Sequence, residues 1–413
     1  MAISPSDQIV IVGGGQAGAQ TAFSLRTWGF EGPISLICDE PAPPYQRPPL
    51  SKAFLKGEMP EERLYFKPAS WYGDNGVSLI LSTRATAIDR AASRVHFDTG
   101  GAATYDHLVL ATGSRPRPLP IPGAALENVF ELRSLADVKR LAPHMVSGQR
   151  IVIVGAGYIG LEAAAVSRQM GLDVTVLEMA DRVLARVTSP LMSSFYETEH
   201  RAQGVNIRTG VRIEALLGKE NTVSAAKLAD GTEIPADIVL VGIGILPNEE
   251  LAAEAGIACR NGILVDRDGR TNDPRIHAAG DCAHRPLIHY GRSSRLESVH
   301  NAIEQGKLIA ADLLGRDRPV EDTPWFWSDQ YDLKLQIAGL STGYDDIVVR
   351  GTPADRKFAA FYLSSGRLIA VDAVNSAPEF LASKRLIASG AKVAQAQLSN
   401  MSITMKEIAA SAA

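Results

Sequence analysis

"QIVIVGGGQAGAQTAFSLRTWG", residues 8–29, decides the fold because the chain contains its like a second time, as "RIVIVGAGYIGLEAAAVSRQMG" at residues 150–171. In each stretch an apolar strand-former runs straight into G-x-G-x-x-G, and apolar residues then recur at helical spacing. A second apolar strand follows both, "ISLICDE" at 34–40 and "VTVLEMAD" at 174–181. These are two βαβ units, each of the form that holds a dinucleotide. Gly13, Gly15 and Gly18 make the first turn, and Gly155, Gly157 and Gly160 the second. Glycines at this spacing let backbone N–H groups approach a pyrophosphate seated on the positive end of the helix. One such motif is weak evidence; two in the strand–turn–helix context are specific.

Each unit then needs a carboxylate at the end of its second strand to bind ribose hydroxyls. The first offers Asp39, with Glu40 beside it; the second offers Glu178, 23 positions after Gly155. An acid there repels the 2′-phosphate of NADP, and no arginine stands at that strand end to receive it. Arg182 and Arg186 follow later, as candidates for the cofactor diphosphate. The second unit therefore reads as an NADH site. Two dinucleotide units with no separate substrate pocket suggest FAD and NADH exchanging a hydride, with the cofactors carrying the chemistry.

The rest of the chain is organised around these units. At 413 residues it exceeds one ordinary core. "HLVLATGSRPRPLPIPG" (107–123) and "DIVLVGIGILPN" (237–248) are apolar strands running into Gly/Pro-rich connectors, and read as the exits from the two nucleotide domains. "IHAAGDCA" (276–283) and the helix-like "LESVHNAIEQGKLIAADLLG" (296–315) return to the first. Past about residue 323, short alternating runs such as "KFAAFYL" and "RLIAVDAV" read as antiparallel strands closed by a helical tail. The expected fold is α/β: an FAD domain in two parts (1–115 and 247–322), an NADH domain (116–246) and a C-terminal α+β domain (323–413).

Composition narrows the function classes. A net charge of −4 gives no reason to expect nucleic-acid binding. No run of eighteen apolar residues offers a membrane span, and "MAISPSDQIVIVGGG" shows neither the basic nor the apolar segment of a secretory signal. A cytoplasmic protein is expected. Cys38, Cys259 and Cys282 make no C-x-x-C or C-x-x-x-x-C pair and no metal-ligand spacing, so they read as small core residues.

The chain resembles the NADH-dependent, FAD-containing ferredoxin reductases of oxygenase systems, the putidaredoxin-reductase type, within the glutathione-reductase fold group. The resemblance is carried by "GGGQAG" (13–18), "PYQRPPLSKAFLKG" (44–57), "HLVLATGSRPRPL" (107–119), "GAGYIGLEAAA" (155–165), "AAGDCA" (278–283), "RLESVHNAIEQG" (295–306) and "PWFWSDQYDLKLQIAG" (324–339). It implies Gly13, Gly15, Ala17 and Gly18 on the FAD pyrophosphate and Asp39 on the adenosine ribose. It brings Arg47 and Lys52 to the FAD phosphates and flavin, adds Ala85 and Arg133 as further FAD contacts, and sets Asp281 on the ribityl chain and Val299 over the pyrimidine. A helix starting near Val299 would aim its positive end at the ring. For NADH it implies Gly155, Gly157, Tyr158, Ile159, Gly160, Glu178, Arg186 and Gly242. Glu162 is implied to pair with Lys52, and Trp325 and Trp327 to flank the flavin or relay an electron.

Residues 44–57 also say where the electrons do not go. A flavin-dependent disulfide reductase carries its reactive cysteines here, whereas this chain has prolines, Ser51 and Lys52. The flavin must discharge elsewhere, and its ability to give up electrons singly suits an iron–sulfur acceptor. Three scattered cysteines cannot make a Cys₄ site, so that centre belongs to a separate protein. The expected partner is a small acidic [2Fe–2S] ferredoxin feeding a cytochrome P450 or ring-hydroxylating oxygenase, with Arg292 and Arg295 as candidates for a basic docking patch. The alternatives are a rubredoxin reductase, which shares every motif, and an NADH-sensing flavoprotein of the apoptosis-inducing-factor type. A monomer or weak dimer is expected.

Overall fold

The computed structural model describes residues 3–411; the outermost positions of the first and last expected domains, 1–2 and 412–413, lie outside the described residues. The chain divides into two compact units. One comprises Met1–Gln46, Pro60–Arg115 and Leu246–Asp322, the other Arg47–Met59, Pro116–Ile245 and Thr323–Ala413.

In the first unit the strand Ile9–Val12 lies at the centre of a five-stranded parallel sheet, ordered Ile276–Ala278, His107–Leu110, Ile9–Val12, Ile34–Ile37, Val77–Ile80. Because side chains alternate across a strand, Ile9 and Ile11 face one core and Val10 and Val12 another. The first core receives the helices Gln16–Thr27 and Val299–Leu313, through Ala22, Leu25, Ile309 and Leu313. The second is closed in part by Ile88 and Val95, which belong to the antiparallel strands Ala85–Asp89 and Arg94–Phe97. A parallel sheet buried on both faces needs apolar residues at every position, and "IVIV" supplies them.

The second unit repeats this plan around Arg150–Val154, in the order Asn206–Arg208, Asp173–Leu177, Arg150–Val154, Ile238–Val241, Val129–Glu131, all parallel. A three-stranded antiparallel sheet, Ile213–Lys219, Thr222–Leu228 and Glu233–Pro235, shares its core. The unit also holds a five-stranded antiparallel sheet, ordered Trp325–Gln330, Leu333–Gly339, Arg367–Val374, Lys357–Ser364, Asp346–Thr352. Its apolar face packs on the helices Ala377–Ala388 and Met405–Ser411 through Phe361, Val371, Phe380, Leu386 and Ile408.

One boundary differs from the sequence expectation of an unbroken 1–115 segment. Residues Arg47–Met59 group with the second unit, because Ser51 and Lys52 bond to Glu162 and Arg47 bonds to the Arg133 carbonyl. The C-terminal sheet joins the same unit through Ser328 to Glu162 and His200 to Gln330. Among the described residues no helix is long and apolar enough to cross a membrane.

Candidate functional site

The two glycine turns show which of their glycines the protein itself needs. Gly13 has φ +115°, and a Cβ there would lie 2.1 Å from the Ala111 carbonyl oxygen; one on Gly18 would lie 2.0 Å from the Gly13 oxygen. Gly155 and Gly160 repeat this, at 2.4 Å from the Gly242 oxygen and 2.1 Å from the Gly155 oxygen. Internal packing explains all four, and it gives Gly242 its place beneath the second turn. Gly15 and Gly157 are different. Each has an ordinary φ of −78° and nothing within 4 Å of where a Cβ would stand. Neither strain nor packing calls for glycine there, so the room lies on the outside of the turn, where a pyrophosphate approaches. Both following helices, Gln16–Thr27 and Tyr158–Gln169, lack a side-chain cap. Their first N–H groups are left for an anion. Those features fit a dinucleotide at each turn. Ala17 is buried in the first helical turn; Tyr158 is half-buried in the second with its hydroxyl enclosed, its ring 4.9 Å from that of Phe326, and Ile159 beside it is exposed.

Beyond the turns the units part company. Val12 pairs with Ile37 and Val154 with Leu177, so the residues that follow, Cys38 and Glu178, are equivalent. Glu178 accepts the Ala156 N–H on Oε2 at 2.7 Å and the Ala180 N–H on Oε1 at 2.9 Å. Cys38 instead packs under Gly14, where a Cβ would meet its Sγ at 2.4 Å. Burial, with Asp39 and Glu40 adding to it, pushes that thiol up to about 12. The expectation of an acid at both strand ends is thus corrected for the first unit. Asp39 stands one residue later, 55% exposed, with Arg84 3.6 Å away, and Glu40 accepts the Tyr45 hydroxyl. A shift of one residue relative to the strand end needs the register to be known.

The two arginines after Glu178 also separate. Arg182 is used up within its own loop, donating to the Thr188 and Ala185 carbonyls and to Ser193 Oγ. Arg186 is exposed, its Nη2 3.2 Å from where a Cβ on Gly244 would lie.

Four more predicted residues lie in the first unit. Asp281 accepts the Ser114 hydroxyl on Oδ2 at 2.7 Å. Val299 opens the helix Val299–Leu313, whose cap Ser298 accepts the Asn301 N–H at 3.1 Å. Ala85 opens its strand, half-buried. Arg295, a candidate for partner docking, is corrected. Its side chain is only 8% exposed and is engaged with Glu297 and the Asp281 carbonyl, whereas Arg292 is exposed.

The others gather in the second unit. Arg47 donates to the Arg133 carbonyl at 2.8 Å. The 3₁₀ turn Pro48–Ser51 delivers Lys52, whose Nζ lies 2.5 Å from Glu162 Oε2, with the side chains 19% and 5% exposed. The sequence reading missed two partners of that carboxylate. Ser51 donates to Oε2 and Ser328 to Oε1, both at 2.7 Å. Trp325 and Trp327 share a face of their strand, ring centroids 5.4 Å apart; Phe380 lies 5.8 Å from Trp325, and the Lys384 ammonium stands over the same ring. All three cysteines are free, and among the described residues no group of His, Cys, Asp and Glu could hold a metal.

Comparison with known proteins matches residues 7–306 to the pyridine nucleotide-disulphide oxidoreductase family and residues 325–409 to the reductase C-terminal family. Putidaredoxin reductase CamA of Pseudomonas putida is 44% identical over 99% of this chain and 98% of its own length. A rubredoxin-NAD(+) reductase of the same species is 39% identical over 89% of this chain and 95% of its own. The crystal structure of a covalent putidaredoxin reductase–putidaredoxin complex superimposes with a TM-score of 0.96, at 44% identity, over 98% of this chain and 99% of that one.

Proposed function

Because the chain belongs to the pyridine nucleotide-disulphide oxidoreductase family, on its ferredoxin-reductase branch, we propose that it is an NADH:ferredoxin oxidoreductase serving a cytochrome P450 or ring-hydroxylating oxygenase. Bound FAD supplies the chemistry that takes a hydride from NADH and passes electrons one at a time to a separate [2Fe–2S] ferredoxin. The observation that carries this reading is the ion pair of Lys52 and Glu162, flanked by Ser51, on the segment where a disulfide reductase presents thiols.

The residues divide the work. The uncapped turn at Gly13, Gly15, Ala17 and Gly18 takes the FAD pyrophosphate, with Asp39, Ala85, Asp281 and Val299 of the same unit as further contacts. The turn at Gly155, Gly157 and Gly160 takes NADH, with Tyr158, Ile159 and Gly242 around it and Arg186 on the diphosphate. Glu178 selects NADH: two backbone N–H groups fix its carboxylate, which accepts ribose hydroxyls and repels a 2′-phosphate. Glu162 keeps the Lys52 ammonium in place for the role in flavin chemistry that the family resemblance implies. Trp325 and Trp327 form an aromatic wall, and the Lys384 ammonium over Trp325 favours an acidic partner. The protein works in the cytoplasm, whose reducing conditions suit three free thiols, as a monomer or weak dimer.

A rubredoxin in place of the ferredoxin is the second reading, favoured by the 39% identity to a rubredoxin reductase. Steady-state NADH oxidation with each acceptor separates them. The proposal expects turnover with [2Fe–2S] ferredoxins to exceed that with rubredoxin. The reverse order selects the second reading, and turnover with neither leaves an NADH sensor.

A further inference from the structure

Glu162 is gripped from a direction its lysine does not explain. Its Oε1 accepts the Ser328 hydroxyl at 2.7 Å, and Ser328 Oγ accepts from Gln330 Nε2 at 3.1 Å. Gln330 Oε1 lies 2.8 Å from His200 Nε2, and His200 Nδ1 lies 3.1 Å from the Tyr331 hydroxyl. Ser328, Gln330 and His200 are all buried. The chain joins the helix Tyr158–Gln169, the strand Trp325–Gln330 and the helix Pro190–Ala202 within one unit.

Its hydrogens can be assigned by elimination. A carboxylate only accepts, so Ser328 donates to it and accepts from the glutamine amide. The amide oxygen then needs a donor, which makes His200 Nε2 the protonated nitrogen and leaves Nδ1 to accept from Tyr331. That requires a neutral imidazole, and burial supplies one by pushing His200 down to about 4. Every donor therefore points toward Glu162. The chain does not conduct protons: a carboxamide in its middle has no ordinary acid form through which to pass one. What it can do is orient.

We propose that Ser328 is a positioning residue for Lys52, acting through Glu162, with Gln330, His200 and Tyr331 holding Ser328 in its donating rotamer. Glu162 Oε2 already receives Ser51 and Lys52. Without Ser328, Oε1 is a buried charged oxygen with no donor, a costly arrangement that turning the carboxylate away from Lys52 relieves. The consequence for flavin chemistry rests on the function proposed above; the positioning itself belongs to the polypeptide. The other titratable groups facing the pair are Tyr158, on Glu162's own helix, and Tyr196, on Pro190–Ala202. Burial holds both phenols far above their ordinary range, with Asp372 acting on both, Tyr362 on Tyr158, and Asp329 and Glu199 on Tyr196.

The test is acetylation of Lys52 in the full-length protein carrying its flavin, followed by peptide mass spectrometry across pH, with exposed Lys219 as internal standard. Ser328→Ala is expected to raise Lys52 labelling about five- to tenfold near pH 8, with Lys219 unchanged. Ser328→Thr, which restores the hydroxyl, is expected to return labelling to within about twofold of wild type. Wild-type labelling in a folded Ser328→Ala protein overturns the proposal, as does a folded Ser328→Thr that labels like the alanine variant. Should Ser328→Ala fail to fold, Gln330→Met decides: a rise of about threefold supports the positioning chain and no change overturns it. None of these readouts depends on the acceptor, so a failed ferredoxin assay and a failed positioning chain are told apart.

Discussion

The two glycine turns are built on one plan and finished differently. In both, the outer glycines are demanded by backbone a little over 2 Å from a would-be Cβ, and the middle one opens on empty space. Then a single position diverges. After its strand the second unit has Glu178, whose carboxylate is tied to the turn by two backbone N–H groups. The first has Cys38, an apolar plug beneath Gly14. On the proposed assignment, a carboxylate pre-ordered beside the turn favours ribose hydroxyls and penalises a phosphate. The apolar plug offers a nucleotide no acceptor of that kind. On that assignment the fingerprint marks the capacity to hold a diphosphate, and the residue after the second strand marks the choice of nucleotide.

Equal lesions at equivalent positions challenge that contrast most severely. Gly15→Val is expected to leave a folded but colourless protein, with FAD binding weakened more than about 100-fold because the side chain fills the pyrophosphate's place. Gly157→Val is expected to stay yellow and to lose NADH reduction by a similar factor. Flavin absorbance and circular dichroism check both; a yellow Gly15→Val protein breaks the assignment. Glu178→Gln comes next. One carboxylate oxygen becomes a donor facing a backbone N–H, so the preference for NADH over NADPH is expected to fall about 10- to 100-fold. Cofactor titrations of each variant measure it, and an unchanged ratio removes Glu178 from the selection.

A smaller effect sharpens the comparison from below. The second turn's Tyr158 lies near a buried cluster in which Asp372 accepts hydrogen bonds from Thr188 and Tyr362. Burial raises the Asp372 carboxyl to about 6. The folded state then binds a proton the unfolded state has released. That contribution is present below the unfolded carboxyl value and is lost as pH rises through about 6. His200 runs the opposite way: pushed down to about 4 by burial, it costs stability as pH falls from the ordinary imidazole range. The two windows overlap and largely offset each other. Asp372→Asn is expected to gain up to about 3 kcal/mol at neutral pH and to show a steeper acid loss, measured by denaturant unfolding between about pH 4 and 7. A pH profile parallel to wild type contradicts it. Smallest of all is replacement of Cys38, Cys259 and Cys282 by serine, which is expected to leave electron transfer within about twofold while costing roughly 1 kcal/mol per buried site. Lost transfer with flavin retained shows that a thiol matters after all.

Much of this was legible because glycine, apolar strands and helical periodicity leave marks within a few residues of one another. The two turns and Glu178 are legible in the sequence itself, and the Lys52–Glu162 pairing follows from the family resemblance. What escaped needed register or distance. Asp39 looks like the partner of Glu178 until the strand ends are aligned and Cys38 takes its place. Ser328 lies 166 positions from Glu162, and a serine inside an aromatic strand has no pattern that marks it. Arg295 reads as surface, because only the fold shows it buried against Glu297 and the Asp281 carbonyl. Residues 47–59 read as part of the first domain because nothing local reveals that their serine and lysine are held by Glu162.

The most direct test of the central claim, that these turns serve two nucleotides whose electrons leave singly, is an anaerobic double-mixing stopped-flow experiment. The purified protein is first reduced with one equivalent of NADH, with NADPH in parallel, and then mixed with excess oxidised [2Fe–2S] ferredoxin. Fast flavin bleaching by NADH, slow bleaching by NADPH, and two ferredoxins reduced per flavin are the expected result. Flavin that bleaches with NADH while the ferredoxin stays oxidised contradicts the account.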